Sequence, residues 1–374
     1  MSEQLGGTWR LLVDDGATAA RGLALDEALM AAQHRDQPPA PATLRLYTYR
    51  DHAALIGRYQ HLDAEVDLQA CRASGTQVSR RPTGGGAIIM GAAQLGVALT
   101  MRAPARQRPR QLIAELSAGV AAGLAELGIT ASFRGKNDLQ VGGRKIAGLG
   151  LYVDDSGGLL FHASVLADLD VAFMLQVLAV PAAKLADKAA AAVAERVTTV
   201  SRETGQGHTG ASIREAIATG FAKQFSLTLE PGEPSAAERA LAERLVGERY
   251  AHTEWVRASG RVPDGSGSAL LKTPAGLVRL YLATHGDLVK SAVFTGDFND
   301  LPDPVLALES ALRWDRLSVD AVTRSVRATA AAGALEVGED ALIEAVLRAG
   351  RQATTAAAAL PVRATGSCYF PDQG

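Results

Sequence analysis

The run Arg80-Arg81-Pro82-Thr83-Gly84-Gly85-Gly86-Ala87-Ile88-Ile89 constrains the chain more than any other segment. Three consecutive glycines are costly inside a helix or a central strand, so the backbone must turn there before it enters the apolar strand that begins at Ala87. Without side chains the backbone can come close to a ligand. The two guanidinium groups add planar donor forks that match phosphate or carboxylate oxygens. A plain loop between strands is the competing reading, and the adjoining arginines and apolar strand favour an anion site over it. The run lacks the Gly-Lys-Ser/Thr ending of a nucleoside triphosphate P-loop and the spaced glycines of a dinucleotide fold, so neither assignment fits.

At 374 residues the chain exceeds one ordinary core, and a main domain with a smaller companion is expected. Apolar periodicity predicts a helix from Thr18 to Gln33, a proline-rich break over Gln37–Ala42, and short strands around Leu44, Leu46 and Ile56. Prolines and arginines from Arg102 to Arg110 predict a loop before a helix whose stripe carries Leu112, Ile113, Leu116, Val120, Leu124 and Leu127. Asp138–Val141 and Lys145–Val153 read as a hairpin around Gly142-Gly143. Pro181–Val197 is alanine-rich with helical propensity, Thr204–Gly210 is a polar break, and a further helix is expected near Ile213–Phe225.

Pro231, Gly232 and Pro234 read as a linker between domains. The expected organisation is a first domain over residues 1–230, a second over 245–350 and an unplaced tail over 351–374. The second domain reads as a small meander. Leu270-Leu271, Val278–Ala283 and Leu288–Phe294 are its strands, His285-Gly286-Asp287 is a turn, and helices follow. Val278, Leu280 and Leu282 alternate onto one buried face, and Trp255 is expected to pack between the domains. Periodicity by itself establishes only that α and β are mixed.

Composition narrows the function class. A net charge of −2 supplies no bulk field to recruit nucleic acid. No apolar stretch is long enough for a bilayer and no cleavable basic leader opens the chain, so a soluble, cytoplasmic protein is expected. Cys71 and Cys368 are too far apart to form a ligand pair or a disulfide framework; Cys71, in a helical stretch, reads as a structural thiol. Lysines are scarce beside arginines, which makes Lys145, just after the hairpin turn, stand out. A lysine there is ordinarily solvated, yet its compact charge can hold the phosphate and acyl oxygens of a mixed anhydride. His162 reads equally as a pocket residue or a hydrogen-bonded strand histidine. Arg102, Arg106, Arg108 and Arg110 form a solvated loop or a docking surface for an acidic partner.

Taken together these motifs resemble lipoate-protein ligases of the bacterial type, in the wider group that also holds lipoyl and octanoyl transferases and biotin ligases. The resemblance spans about Leu11 to about Arg348. It rests on Leu55–Gln60, Arg80–Ile89, Asn137-Asp138 with Arg144–Gly148, Phe161–Ser164, Arg196-Val197-Thr198, and Gly276–Phe298 as the accessory domain. It implies an α+β fold of the class II synthetase and biotin-ligase kind: a mixed or antiparallel sheet flanked by helices, with a small α/β C-terminal accessory domain. It also implies ATP-dependent activation of lipoate to lipoyl-AMP and transfer to a lysine of a lipoyl carrier domain. That carrier would be a dehydrogenase E2 subunit, a glycine-cleavage H protein or a specialised lipoate-binding protein, with no nucleic acid or membrane involved. Carried over by position, the resemblance makes Lys145 catalytic. It assigns Arg81, Gly84, Gly85, Gly86, Ala87, Ile88, Ile89, Asn137, Asp138, Lys145, Gly148 and His162 to ATP and lipoyl-adenylate binding, and puts Asp138 near magnesium.

The chain departs from the family at Met90-Gly91, where a histidine-aspartate pair is usual, and at Leu149-Gly150, which replace small polar residues. These departures suggest a divergent branch with a drier pocket. Two rival readings stand beside the ligase: an octanoyl or lipoyl transferase that needs no ATP and works through a cysteine thioester, and a non-catalytic acyl-adenylate-binding scaffold. A requirement for ATP separates ligase from transferase.

Overall fold

The computed structural model describes residues 6–34, 40–104, 109–134, 137–178, 194–258, 267–274, 276–298 and 301–359. The chain divides into two compact units, Met1–Ala258 and Ser259–Gly374.

The first unit is built on an eight-stranded sheet in the order β11-β1-β2-β6-β10-β9-β8-β7. Its strands are β1 (Gly7–Ala17), β2 (Thr43–Tyr49), β6 (Gln94–Arg102), β7 (Ser132–Arg134), β8 (Asp138–Val141), β9 (Arg144–Val153), β10 (Gly158–Leu166) and β11 (Leu227–Pro231). The β11/β1 and β1/β2 pairs are parallel and the others antiparallel, so the sheet is mixed. Three further strands, β3 (Ala53–Ile56), β4 (Gln77–Arg80) and β5 (Ile88–Met90), form a small second sheet in the order β4-β3-β5. The glycine run therefore joins two edges of a small sheet, with β3 between them.

Helices cover both faces of the large sheet, so its inner strands are largely buried, and all seven residues of β2 are. Leu44 and Leu46 face a core shared with Leu116, Val120, Leu124 and Phe221 of helices Pro109–Glu126 and Arg214–Phe225. Tyr47 and Tyr49 face Leu23, Ala24 and Ala28 of helix Ala19–Ala31 on the opposite side. Thr18 caps that helix, its hydroxyl accepting from the Arg21 amide. The hairpin turns where expected, with φ of 55° at Gly142 and 79° at Gly143, values that favour glycine.

Arg45 breaks the apolar pattern of β2 and lies fully buried on the tyrosine side. Its guanidinium donates to Asp26 Oδ1 at 2.6 Å, to the Gly22 carbonyl at 3.0 Å and to Asp14 Oδ2 at 2.6 Å. Two carboxylates thus neutralise a cation that burial would otherwise make very costly.

The boundary between units differs from the one read in the sequence. Pro231 ends edge strand β11, in register with Leu11, and the Gly232 amide bonds the Leu11 carbonyl at 3.0 Å. Ser235 and Glu238 then form a capping box on helix Ala236–Leu245, which packs Ala242 and Leu245 into the tyrosine-side core. The prolines therefore end a strand and lead into a capped helix, and the first unit continues to Ala258. Trp255, expected between domains, belongs to this first unit.

The second unit forms the expected meander: β12 (Gly267–Thr273), β13 (Gly276–His285) and β14 (Leu288–Gly296) in an antiparallel sheet. Val278, Leu280 and Leu282 are buried, and helices Asp303–Leu312, Val319–Thr329 and Glu339–Ala359 follow. The first residues of the unplaced tail continue that last helix. Residues 360–374 with Cys368, the alanine-rich residues 181–193, and Arg106 and Arg108 of the arginine loop lie outside the described residues. Among the described residues no helix is long and apolar enough to cross a membrane.

Replacing Arg45 with Met should leave Asp26 buried without its counter-charge and cost about 3–5 kcal/mol of stability. The double substitution Arg45→Met/Asp26→Leu should recover much of that loss. Urea unfolding measures both, and a double variant as unstable as Arg45→Met would show that the ion pair is not what the core depends on.

Candidate functional site

The glycine loop is held from within. The Arg81 amide donates to the Ile56 carbonyl at 3.0 Å, and the Arg58 amide to the Thr83 carbonyl at 2.9 Å, which ties the loop to the end of β3. The Arg81 guanidinium donates to the carbonyls of Leu55 at 2.9 Å, Gly84 at 2.9 Å and Gly86 at 2.6 Å. Gly85 has φ of 91°, and a Cβ on Gly57 would lie 2.0 Å from its carbonyl oxygen. Leu55–Gln60 and the triple glycine are therefore two halves of one packed unit, which explains why both motifs stand out in the sequence.

Arg80 does not join Arg81 at the cavity. Its buried guanidinium turns to the carbonyls of Gly57, Arg58, Gln60, Trp255 and Val256, so of the two guanidiniums read as a pair in the sequence only that of Arg81 lines the cavity. Adjacent residues on a strand point to opposite faces, and the arginine pair is divided in this way.

Lys145 is the second residue of β9, just after the hairpin turn. Its backbone is pinned on both sides, its amide donating to the Arg196 carbonyl and its carbonyl accepting from the Thr198 amide, each at 2.8 Å. This bridge gives the Arg196-Val197-Thr198 motif its function of fixing the lysine strand. The ammonium reaches Asp138 Oδ1 at 2.7 Å. It lies close over Gly148, where a Cβ would sit 3.1 Å from Nζ, so the small residue leaves room for the side chain. Arg144, the neighbouring cation, is paired instead with Glu203 at 2.8 Å.

His162 on β10 lies 3.0 Å from Thr83 Oγ1 through its Nε2, joining the large sheet to the glycine loop. Burial, and secondarily the charge of Arg81, push its imidazole down from 6.5 to about 3, so it is neutral near pH 7. A neutral ring adds no repulsion to the cations around it.

These groups meet at one cavity of about 210 Å³. Arg81, Gly86, Ala87, Ile88, Ile89, Asn137, Lys145, Gly148 and His162 line it, so most of the residues named from sequence converge, and Arg81 and Lys145 share one space. Gly84, Gly85 and Asp138 do not line it; the glycines shape the loop behind it and Asp138 holds the lysine. The apolar wall joins Leu55, Met90 and Leu149 from the sequence motifs to Leu23, Tyr47, Leu166, Leu169 and Met174, which sequence reasoning missed. These come from separate strands and helices, and no local pattern links them. An arrangement with a cationic, hydrogen-bonding part and an apolar wall suits a carboxylate or phosphate head on a hydrocarbon chain.

Asp138, expected near magnesium, pairs with Lys145 through Oδ1. Among the described residues no group of three or more His, Cys, Asp or Glu side chains is placed to hold a metal ion. Cys71 lies in helix Leu68–Ser74, buried with its Sγ 4.0 Å from the Val177 carbonyl and absent from the cavity wall. Burial pushes its thiol up to about 11, which makes it a poor nucleophile, in keeping with its reading as a structural thiol.

A family model for the lipoyl protein ligase A/B catalytic domain matches residues 18–222. The octanoyltransferase LipM of Symbiobacterium thermophilum is 34% identical over 272 residues, covering 66% of this chain and 97% of that protein. The solved bi-partite lipoate protein ligase of Thermoplasma acidophilum, studied with its E2 lipoyl domain, superposes with a TM-score of 0.61 and 26% identity over 69% of this chain and 99% of its own. A lipoate-protein ligase A bound with ATP superposes with a TM-score of 0.59 and 25% identity over 67% and 99% of the respective chains.

A histidine whose pKa falls on folding supports the fold fully above its unfolded value near 6.5, and that support is lost as the pH falls toward about 3. The unfolding free energy should therefore drop more steeply between about pH 7 and about pH 4 in the wild type than in His162→Gln. Parallel pH profiles for the two proteins would show that His162 is not neutral in the folded state.

Proposed function

The chain belongs to the lipoyl protein ligase A/B catalytic domain family, and on that premise we propose that it activates lipoate, or octanoate, with ATP and transfers the acyl group to a lysine of a lipoyl carrier domain. The observation that supports this most is the single cavity shared by Lys145, Arg81 and an apolar wall. In this reading the acid's carboxylate attacks the α-phosphorus of ATP, pyrophosphate leaves, and the acyl-adenylate stays bound. The carrier amine then attacks the acyl carbonyl and AMP leaves.

Lys145 is the catalytic cation. As its ammonium exchanges Asp138 for the forming anhydride, it stabilises charge on the phosphate and acyl oxygens, while Arg81 and the Asn137 amide fix the loop side of the cavity. Gly86 to Ile89, Gly148 and His162 give the bound adenylate its walls, and Gly84 and Gly85 shape the loop behind them. Magnesium enters with the nucleotide as part of the substrate, because it needs few protein ligands when it bridges polyphosphate oxygens. The first unit carries both half-reactions, and the unit from Ser259 onward is accessory. The solved T. acidophilum ligase was studied with an E2 lipoyl domain, which favours a carrier of that kind here.

The name of the S. thermophilum relative favours a second reading, octanoyl transfer between carriers without ATP. A thioester route needs a reactive thiol at the acyl carbonyl. Among the described residues the sole cysteine, Cys71, is buried outside the cavity, which weighs toward activation by ATP.

Lys145→Ala should lower the rate of lipoyl-adenylate formation by about two to three orders of magnitude. Cys71→Ser should transfer acyl groups at the wild-type rate. Mass spectrometry of carrier domains incubated with lipoate or octanoate should show modification with ATP and none without it. Modification from an octanoyl carrier in the absence of ATP would replace the ligase with the transferase.

A further inference from the structure

Arg80 is one of the largest fully buried side chains in the protein, and no carboxylate among the described residues pairs with it. Its charge is instead met by carbonyl dipoles from two places far apart in sequence. Nη1 donates to the carbonyls of Gly57 at 2.9 Å, Arg58 at 2.9 Å and Gln60 at 2.8 Å. Nε donates to Trp255 at 3.1 Å, and Nη2 to Val256 at 3.0 Å. The contact is reciprocal, since the Trp255 indole N–H donates to the Arg80 carbonyl at 2.9 Å. One residue earlier, the Ser79 hydroxyl donates to the Tyr250 carbonyl at 3.1 Å.

The segment that receives these bonds is itself fixed. Tyr250 and Arg249 both bond Glu27 of helix Ala19–Ala31, Tyr250 meets Trp255 edge to face at 6.0 Å, and the Arg249 guanidinium lies 4.9 Å from the Trp255 ring centre. On the other side of Arg80, Gly57 is packed against Gly85, and the Arg58 amide holds the Thr83 carbonyl. A continuous set of contacts therefore runs from Tyr250–Val256, through Arg80, to the glycine loop that lines the cavity.

We propose that Arg80 and Trp255 are a positioning pair: they set the placement of the glycine loop, so that the loop's grip on its ligand depends on the last helical turn of the first unit. Within the loop Arg81 satisfies the Gly84 and Gly86 carbonyls, and Arg80 satisfies those of Gly57, Arg58 and Gln60, the segment against which the loop is packed. A cation serving five carbonyls acts as a rivet, because removing it leaves several buried acceptors unpaired at once. Its arginine identity matters. A lysine ammonium has three donors on a single atom and cannot span both carbonyl groups.

The proposal rests on the reading that this loop holds the activated acyl group, so the test carries one arm that does not need that reading. Trp255→Phe keeps the ring packing with Tyr250 and Arg249 and removes only the donor to Arg80. In Trp255→Phe and Arg80→Lys, hydrogen exchange of the Arg58 and Arg81 amides should speed up by about tenfold, while amides within helix Pro109–Glu126 exchange as in the wild type. In the activity arm, KM for ATP should rise by about tenfold with a smaller change in kcat, and Arg80→Lys should retain more than Arg80→Met. Unchanged Arg58 and Arg81 exchange in Trp255→Phe, or an equal rise across the whole protein, would overturn the proposal. If the wild type turns over without ATP, the ligase reading fails, and the exchange arm still decides the role of the pair.

Discussion

Buried guanidinium groups that face backbone carbonyls are the constraint on which the site depends. A loop of glycines makes no regular ladder, so its carbonyls need donors from elsewhere, and a buried carbonyl left unpaired is costly. Arg81 serves Leu55, Gly84 and Gly86, while Arg80 serves Gly57, Arg58 and Gln60. The loop is thereby shaped before any ligand arrives, and little ordering remains to be done on binding. Arginine suits this task because it stays charged even when burial lowers Arg80 to about 10, and because its donors are fixed in a plane.

Around that frame the titratable groups fall into distinct roles. The Lys145 ammonium is paired with Asp138 at 2.7 Å, which balances its charge. Any anion that reaches the same ammonium must compete with Asp138, so the site is not a bare cationic hole. His162 is driven neutral by burial and, secondarily, by the charge of Arg81. The cavity therefore carries two cations, one on the loop and one on β9, with a neutral ring on β10.

Much of this was legible in the sequence because it is local. The Gly142-Gly143 hairpin, the Thr18 cap, and the alternation of Val278, Leu280 and Leu282 each follow from a few neighbouring residues and their backbone preferences. Lys145 and Arg81 could be named, but the bridge from Arg196–Thr198 that pins the lysine crosses some fifty residues and carries no periodic signal. The division of labour within Arg80-Arg81 was hidden for the same reason, since the carbonyls that claim Arg80 include two beyond residue 250. The domain boundary misled because Pro231 and Pro234 mark the end of an edge strand as readily as a linker. Only the packing of Ala242 and Leu245 on helix Ala19–Ala31 decides between the two.

The same scaffold in this family carries proteins named for ligation and for octanoyl transfer, and the chemical difference reduces to which atom bears the acyl group between donor and carrier. If that atom is a phosphate oxygen, the protein must hold a large anion and needs no nucleophile of its own. If it is sulfur, a thiol must stand against the carbonyl carbon, with its proton removed by a nearby base. Cys71 fails both conditions, being buried outside the cavity and held well above the usual thiol range. His162 lines the cavity and is bonded to Thr83 of the loop. Among the described residues the cavity sets two cations and hydrogen-bonding groups beside an apolar wall, which suits an anionic head on a hydrocarbon chain.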